Sequence, residues 1–356
     1  MQIVVLIGTK AQLVKMAPVI QELMRQNLDF KFVLTGQHAE TMFDLIDSFE
    51  LRQPDDFIIQ PKETDTKVKV SSWFFRALLE ARKKDYFNKS SIVLVHGDTL
   101  STLLGAIIGR LKGSKVAHIE AGLRSFNLFH PFPEEITRLL VSRLAHYFFC
   151  PDDWSANNLK RKKHVYNTRS NTILDAYRFA LQNHDQQVSD QQSYAVASIH
   201  RFENINNDER FNFIMEQIAQ ASEKINIKFV LHPVTKNKIN SSSWRTKLEQ
   251  LPGVILTRRM TYIDFTHLLL NARFLISDGG SNQEEASIMG IPCLLMREAT
   301  ERQDGLKDNI VLSKYQPEVI QKFVSDNYDD QWERRALPET YPSRSIINTL
   351  SQLELK

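Results

Sequence analysis

The stretch IVLVHGDTLSTLLGAIIGRLKGSKVAHIEAGLR, residues 92–124, contains the pattern from which we infer the fold class. It begins with an apolar run at residues 92–95 and ends with a second apolar run at residues 116–119, followed by EAGLR. Between the two runs Thr99 can cap a helix, and the apolar stripe of that helix comprises Leu103, Leu104, Ile107, Ile108 and Leu111. Short apolar strands joined by an amphipathic helix are typical of a parallel sheet that helices cover on both faces.

The same alternation extends over the whole chain. Further apolar runs lie at residues 3–7, 30–34, 147–149, 194–199, 229–231, 254–256, 274–276, 293–296 and 310–312. A chain of 356 residues is longer than a single hydrophobic core normally supports. We therefore expect two doubly wound α/β domains, with residues 1–170 in the first and 171–344 in the second. Their strand ends should face a central cleft. Helical spacing of apolar residues after Ser345 predicts a terminal helix over 345–356.

Composition excludes several classes of function. The chain has 45 basic and 42 acidic residues, so its net charge of +3 gives no reason to expect a nucleic-acid or membrane partner. The two cysteines, Cys150 and Cys293, lie far apart in apolar runs, which favours neither a disulfide framework nor a zinc site. No basic leader and no apolar run of roughly 18 residues is present. We therefore expect a cytoplasmic protein without a metal.

Acidic residues follow two of the predicted strands directly. Asp98 lies in the motif His96-Gly97-Asp98-Thr99, and Glu120 begins the motif that ends the opening stretch. Capping of a helix by Asp98 or Thr99 explains the first motif equally well. Glu134 and Glu135 then begin a helix whose buried face is expected to comprise Ile136, Leu139 and Leu140. Acidic side chains in the first turn of a helix also interact favourably with the helix dipole, so a purely structural role of Glu134 and Glu135 remains an alternative.

Two glycine turns could bind an anion. The first, Gly8-Thr9-Lys10, matches neither a dinucleotide fingerprint nor a P-loop, and taken alone it is a weak signal. The second, Gly279-Gly280, precedes a helix, whose free N–H groups would favour a phosphate there, while Glu285 could bind ribose hydroxyls. His200-Arg201 follows another strand and adds a base and a cation.

Taken together, these motifs resemble the non-hydrolysing UDP-N-acetylglucosamine 2-epimerase family. The matching segments occur in family order: Gly8-Thr9, Lys15 to Pro18, Gln37-His38, His96 to Thr99, Glu120 to Arg124, Pro133 to Glu135, Asn171-Thr172, Asp175-Ala176, His200-Arg201, Glu203-Asn204, Gln283 to Ala286 and Thr300 to Arg302. An ordered set of this length is far more specific than any single block.

The resemblance implies two Rossmann-like halves similar to GT-B glycosyltransferases, a homodimer, and a terminal helix that returns to the first domain. It implies a UDP-sugar substrate and no cofactor. The implied catalytic residues are Asp98, Glu120, Glu134 and His200. The implied substrate-binding residues are Lys10, Lys15, Arg138, Arg201, His232, Phe265, Gly279, Gly280, Ser281, Glu285 and Arg302.

The sequence departs from the family pattern at several positions. Lys10 replaces the usual Arg, and an ammonium cannot form the bidentate pair that a guanidinium forms with a diphosphate. Ala11-Gln12 replaces Pro-Glu, Gly279-Gly280-Ser281 replaces Ser-Gly-Gly, Ser170 replaces Gly, and Ala39 replaces Arg in a segment that some members use to bind an activating UDP-sugar. These departures concern the preferred sugar and its regulation.

The expected reaction interconverts UDP-GlcNAc and UDP-ManNAc, or a related pair, by elimination and re-addition of UDP. Acid/base groups on both faces of C2 and a firmly held UDP suit such a path, which needs no redox cofactor. Three alternatives remain open from the sequence: a hydrolysing 2-epimerase that releases ManNAc and UDP, a GT-B glycosyltransferase, and a UDP-sugar sensor without turnover.

Overall fold

The computed structural model of the protein describes residues 2–36, 42–59, 67–128, 132–183, 193–300, 302–329 and 331–354. Gln37, His38, Ala39, Glu301 and part of the Phe-rich loop before Pro133 lie outside the described residues. The chain forms two compact units. Residues Met1–Phe179 and Glu339–Lys356 form the first unit, and Ala180–Pro338 forms the second.

The first unit contains a seven-stranded parallel sheet with the strand order β3-β2-β1-β4-β5-β6-β7. Its strands are β1 (Gln2–Ile7), β2 (Phe30–Leu34), β3 (Asp56–Phe57), β4 (Ser91–His96), β5 (Lys115–Ile119), β6 (Tyr147–Cys150) and β7 (Val165–Asn167). Because β1 and β4 are adjacent, the order reverses direction between them. In such sheets ligands bind at the carboxyl ends of the strands, beside this reversal.

Helices connect these strands, and side-chain caps fix where several of them begin. They are α1 (Lys10–Arg25), α2 (Phe43–Ser48), α3 (Lys67–Arg82), α4 (Leu100–Lys112), α5 (Glu134–Leu144), α6 (Asp153–Asn158) and α7 (Ile173–Gln182). Thr9 and Asp152 form capping boxes, and Thr99 accepts a bond from the Thr102 N–H. Thr99 is thus the predicted cap of α4, and the Asp98 carboxylate is not needed for capping.

The buried face of α5 differs from the prediction. Its buried residues are Glu135, Thr137, Arg138 and Val141, whereas Ile136 and Leu139 are half-buried and Leu140 is exposed. The expectation of an apolar face through Leu140 was wrong because ion pairs, described below, allow two charged residues to occupy the inner face. Leu111, expected in the buried stripe of α4, is likewise 60% exposed.

The second unit contains a six-stranded parallel sheet with the order β10-β9-β8-β11-β12-β13. Its strands are β8 (Tyr194–Ser198), β9 (Asn226–Leu231), β10 (Val254–Arg258), β11 (Leu275–Ser277), β12 (Cys293–Leu295) and β13 (Ile310–Leu312). Its helices after α7 are α8 (Phe202–Ile205), α9 (Asp208–Ala221), α10 (Pro233–Asn240), α11 (Trp244–Gln250), α12 (Tyr262–Leu270), α13 (Gly280–Met289) and α14 (Pro317–Asn327). The strand order here reverses between β8 and β11.

The last helix, α15 (Pro342–Glu354), packs on α1 in the first unit. Its Ile346, Ile347 and Leu350 side chains are buried, and the amide of Gln26 donates to Asn348 Oδ1 at 2.9 Å. The units differ from the predicted limits of 170 and 344, since most of α7 and the chain from residue 339 belong to the first unit. The cause is visible in α7: Asp175 accepts a bond from the Ser343 N–H at 2.8 Å, so α7 holds the returning chain.

These two sheets confirm the predicted fold class of two Rossmann-like, doubly wound parallel α/β domains. Each has its own core of β-branched and aromatic side chains. In the part of the chain that is described, every helix is either too short or too polar to cross a bilayer.

Candidate functional site

The predicted site residues fall at the strand reversals of the two sheets. In the first unit, Lys10 and Lys15 lie in α1 after β1, Asp98 follows β4, and Glu120 follows β5. In the second, His200 and Arg201 follow β8, and Gly279 to Ser281 follow β11. Parallel strands place their carboxyl ends at one edge of each sheet, so the side chains within each unit come together there.

Glu120 is held by two basic side chains. The Lys15 ammonium donates to its two carboxylate oxygens at 2.9 and 3.0 Å, and His96 Nε2 lies 3.1 Å from Oε2. All three side chains are nearly excluded from water, at 4–6% exposure. The Glu120 backbone adopts φ +62°, a left-handed conformation that costs about 1–3 kcal/mol in a non-glycine residue and is concentrated at functional sites. The structure therefore fixes this carboxylate in position and orientation.

Asp98 is held by a different cation. Arg138 donates to Asp98 Oδ2 from Nε at 2.9 Å and lies 2.6 Å from it through Nη2. Arg138 Nη1 also contacts Glu135 at 3.4 Å, and Glu135 in turn binds Arg124 and the Ser125 N–H. Burial raises the pKa of the Glu135 carboxyl, but these donors outweigh it and hold the pKa below its usual range. A chain of alternating charges thus runs from Arg124 to Asp98.

His118 and Gly97 shape the backbone between the two carboxylates. His118 Nε2 donates to the Gly97 carbonyl at 2.8 Å, and burial lowers the pKa of the imidazole although Asp98 and Glu120 act in the opposite direction. Gly97 has φ +67°, and a Cβ there would lie 3.7 Å from the Glu120 carboxylate. A neutral His118 therefore holds the loop that presents Asp98.

Gln12 joins the first turn to β4. Its Oε1 accepts from the N–H groups of Gly8 and Thr9 at 2.9 and 3.2 Å, and its amide donates to the His96 carbonyl at 2.7 Å. The amide also donates to Thr102 Oγ1 at 2.9 Å. An amide can accept and donate at once, and the Gln at position 12 uses both capacities. Lys10, the first residue of α1, and Glu134, the first residue of α5, are both half-buried.

Asp278 organises the site of the second unit. Its fully buried carboxylate accepts from the N–H groups of His200 and Arg201 at 2.9 Å and from the Asn204 amide at 2.9 Å. His200 Nδ1 lies 3.5 Å from Asp278 Oδ1, and the His200 ring stacks on His232 with centroids 4.4 Å apart. Burial lowers the pKa of His200, so the ring favours its neutral form.

Gly279 lies against His200 and caps α13. A Cβ at this position would approach His200 Cε1 to 2.9 Å, so the close packing requires glycine. The Gly279 N–H donates to Ser277 Oγ at 3.1 Å, and α13 begins at Gly280 with Ser281 in its first turn. The N-terminus of a ten-residue helix carries free N–H groups and partial positive charge, which suit a phosphate.

Two acids of α13 are buried. Glu284 pairs with Arg302 through Nη1 at 3.1 Å, and Glu285 is 4% exposed. Arg201 pairs with Glu203 at 3.3 Å, while Phe265 is half-buried in α12. Within the described ranges the Phe265 ring has no aromatic or cation–π partner, and no group of three or more His, Cys, Asp and Glu side chains is arranged to hold a metal ion.

The structure thus brings together Lys15 with Glu120, Arg138 with Asp98, and His200 with His232 and Gly279. Sequence reasoning missed His96, His118, Glu135 and Asp278 as parts of the site. His96 lies in a motif that had been identified, and Asp278 directly precedes the Gly279-Gly280 turn. Both lie at strand ends, and this position was the signal that could have indicated them.

Comparisons with known proteins identify the family. The family model described as UDP-N-acetylglucosamine 2-epimerase matches residues 21–343. A UDP-N-acetylglucosamine 2-epimerase of Methanococcus maripaludis is 33% identical over 339 residues, covering 89% of this chain and 88% of that protein.

Solved structures agree. The UDP-GlcNAc 2-epimerase of Methanocaldococcus jannaschii, crystallised with UDP-GlcNAc and UDP, superimposes with a TM-score of 0.86 at 27% identity, covering 99% of this chain and 100% of that one. MurG of Acinetobacter baumannii shares the GT-B fold alone, at a TM-score of 0.50 and 10% identity over 99% of this chain and 100% of that one. The family match over most of the chain shows that the protein belongs to the UDP-N-acetylglucosamine 2-epimerase family, whose members are isomerases.

Proposed function

We propose that the protein interconverts UDP-GlcNAc and UDP-ManNAc by reversible elimination and re-addition of UDP, without hydrolysis. One observation carries the proposal: the ends of neighbouring strands present two carboxylates, Asp98 and Glu120, and each contacts its own cation. Arg138 and Lys15 each offset one of the two negative charges, which reduces the repulsion between the carboxylates. This arrangement suits proton transfer on two sides of one carbon atom.

The first unit carries the proton chemistry. In the forward direction a carboxylate among Asp98, Glu120 and Glu134 takes the C2 proton. The C2–H electron pair then forms a C1–C2 double bond, and the C1–O bond breaks with its electron pair leaving on UDP. A second member of this set, which carries a proton before the reaction begins, returns that proton to the opposite face of C2 while the first member keeps the proton it removed, and the UDP oxygen adds again to C1. The atoms balance without water or a redox partner.

The second unit binds the nucleotide. The N-terminus of α13 at Gly280 and Ser281 takes the diphosphate, with Arg302 as a cation, and Glu285 takes the ribose hydroxyls. Phe265 offers its ring to the base. His200, held by Asp278, acts on the leaving diphosphate or an adjacent hydroxyl, while Arg201 and His232 border it.

Incubation of the protein with UDP-GlcNAc in deuterated water tests the chemistry. We expect deuterium at C2 in both recovered UDP-sugars. Free ManNAc and UDP would support the hydrolysing alternative instead, and binding without exchange would support a sensor.

The residue roles need matched variants. Asp98→Asn, Glu120→Gln, Glu134→Gln and His200→Asn should each lower the exchange rate by at least about 100-fold, with UDP affinity little changed. Glu209→Gln is the control, because Glu209 also lies in the first turn of a helix and is exposed. Equal activity of the three carboxyl variants and this control would contradict the proton-transfer roles.

The outer helices of the first unit support a homodimer, which we include in the proposal. Phe75 and Leu79 on α3, Leu111 on α4 and Leu140 on α5 are 37–69% exposed. Helix α4 packs against both α3 and α5, so these side chains belong to one helical layer. Exposed apolar patches of this kind mark protein–protein contacts. Sedimentation should give twice the monomer mass of 41.2 kDa, and a monomer at micromolar concentration would contradict the dimer.

A reducing compartment, the cytoplasm, is part of the same proposal. Cys150 and Cys293 are free, buried thiols in different units. Burial raises the pKa of Cys150 to about 12, which keeps the thiol protonated and unreactive. Neither cysteine therefore contributes a stabilising disulfide.

A further inference from the structure

We propose that a pocket between α5 and α6 of the first unit binds a small phosphate-bearing dianion. The pocket has a volume of about 340 Å³, and five of its lining side chains are cationic: Arg124, Arg138, Lys160, Arg161 and Lys162. Of these cations only Arg138, the partner of Asp98, takes part in the proposed function. It lies along the two helices, where the sequence after α6 reads KRKKH over residues 160–164.

Three of these cations are available to a ligand. Lys160, Arg161 and Lys162 are exposed and have no acidic partner within the described ranges. The Lys162 ammonium lies 5.9 Å from the centroid of the Phe148 ring, and this cation–π contact uses none of its N–H donors. The exposed amide of Asn157 also lines the pocket and can donate a hydrogen bond. Cations without acidic partners, beside a neutral hydrogen-bond donor, bind an oxyanion better than an uncharged or apolar ligand.

The other two cations are held in place by a buried acid. Glu135 is fully buried and binds Arg124 Nε, the Ser125 N–H and Arg138 Nη1. Because these contacts already fix both guanidinium groups, a ligand has fewer rotamers to immobilise when it binds. Glu135 pairs with Arg124 and Arg138, and Asp98 pairs with Arg138, whereas the three exposed cations have no acidic partner within the described ranges, so positive charge is in excess in the pocket.

Size and charge define the ligand class. A volume of about 340 Å³ lies at the lower end of the range for small-molecule sites, about 300–1,000 Å³. This accommodates a phosphate group with a small organic part. Inorganic phosphate and a phosphate monoester share this chemistry, and direct titration distinguishes them.

Arg138 connects the pocket with Asp98. Its Nε and Nη2 bind the Asp98 carboxylate, and its Nη1 faces Glu135. An anion in the pocket would draw hydrogen bonds from the same guanidinium and weaken its hold on Asp98. The site is therefore placed where its occupancy can affect the carboxylate, although binding itself does not depend on the proposed function.

Calorimetric titration of the full chain with inorganic phosphate, and separately with glycerol 3-phosphate, tests the site at constant ionic strength. The wild type should bind saturably, and the double variant Arg161→Gln/Lys162→Gln should weaken that binding at least tenfold. Lys163→Gln is the control, because Lys163 is exposed and adjacent in sequence but does not line the pocket. The affinity of this variant for each probe should stay within twofold of that of the wild type.

Three results would overturn the proposal. They are no saturable binding of either probe to the wild type, equal affinity of the double variant and the wild type, and equal weakening in Lys163→Gln, which would indicate unspecific attraction to surface charge. Tighter binding of glycerol 3-phosphate identifies a phosphate monoester as the ligand, and equal binding identifies free phosphate. Because all altered side chains are exposed, unchanged circular dichroism of each variant confirms that folding is intact.

Discussion

Removing the ammonium beside Glu120 should destabilise the protein strongly. In Lys15→Met the side chain keeps its length but loses its charge, and the Glu120 carboxylate, 6% exposed, loses the donor that contacts both of its oxygens. Breaking one partner of a buried ion pair costs about 3–5 kcal/mol, because the remaining charge stays buried.

The magnitude can be converted into a melting temperature. For a folding unit of about 150–250 residues, 1 kcal/mol corresponds to about 2–4 °C. We therefore expect the Lys15→Met transition about 6–20 °C below that of the wild type. The double variant Lys15→Met/Glu120→Gln should recover most of this loss, because a buried pair replaced by uncharged groups of similar size is nearly neutral.

Scanning calorimetry of the four proteins in this cycle measures the coupling between Lys15 and Glu120. Lys83→Met is the control, since Lys83 pairs with Glu80 at the surface, with side chains 68% and 37% exposed. Such exposed pairs contribute about 0–1 kcal/mol. The reasoning is refuted if Lys15→Met melts within the range of this control, or if the double variant is no more stable than the single one.

Two other perturbations probe the site of the second unit and a histidine outside both sites. Gly279→Ala should slow C2 exchange at least tenfold at nearly unchanged melting temperature, because its Cβ would lie 2.9 Å from His200 Cε1 and displace the ring; full activity would show that the ring position is unimportant. His146 has its pKa lowered to about 4 by burial, with Arg110 and Lys115 adding to the effect, and its Nδ1 accepts from a backbone N–H at 3.0 Å. The unfolded chain takes up this proton first, near pH 6.5, so the contribution to stability is lost as the pH falls from about 6.5 towards 4. His146→Gln should reduce the difference in melting temperature between pH 7.5 and pH 5, and an unchanged difference would contradict the shift.

Apolar runs predicted most of the strands, because a buried parallel strand is recognisable from its own residues. Residues 30–34 and 310–312 are strands with those limits, and the run at 92–95 lengthens by one residue at each end. The strands β3 and β7 were missed. Each has only two or three residues and a half-exposed pattern, so their pairing with a neighbour, rather than their sequence, makes them strands.

The sequence predicted where the carboxylates of the site lie, but not which side chains pair with them. Asp98 and Glu120 follow strands, and this alone places them at the functional edge. Their partners, Arg138 and Lys15, are 40 and 105 residues away in sequence, and only the folded chain brings them together. The same holds for Asp278, whose carboxylate meets the His200 N–H across 78 residues. The prediction of the buried face of α5 was wrong for this reason, because hydrophobic periodicity does not show which charged residues form ion pairs.

The return of α15 to α1 has a consequence for biosynthesis. Ile346, Ile347 and Leu350 fill an apolar surface of the first unit, yet about 160 residues of the second unit are translated before them. At roughly 5–20 residues per second, the ribosome leaves that surface uncovered for about 10–30 s. The unit whose translation begins first is thus the last to be completed. A nascent chain stalled before residue 339 would leave this apolar surface accessible to chaperones.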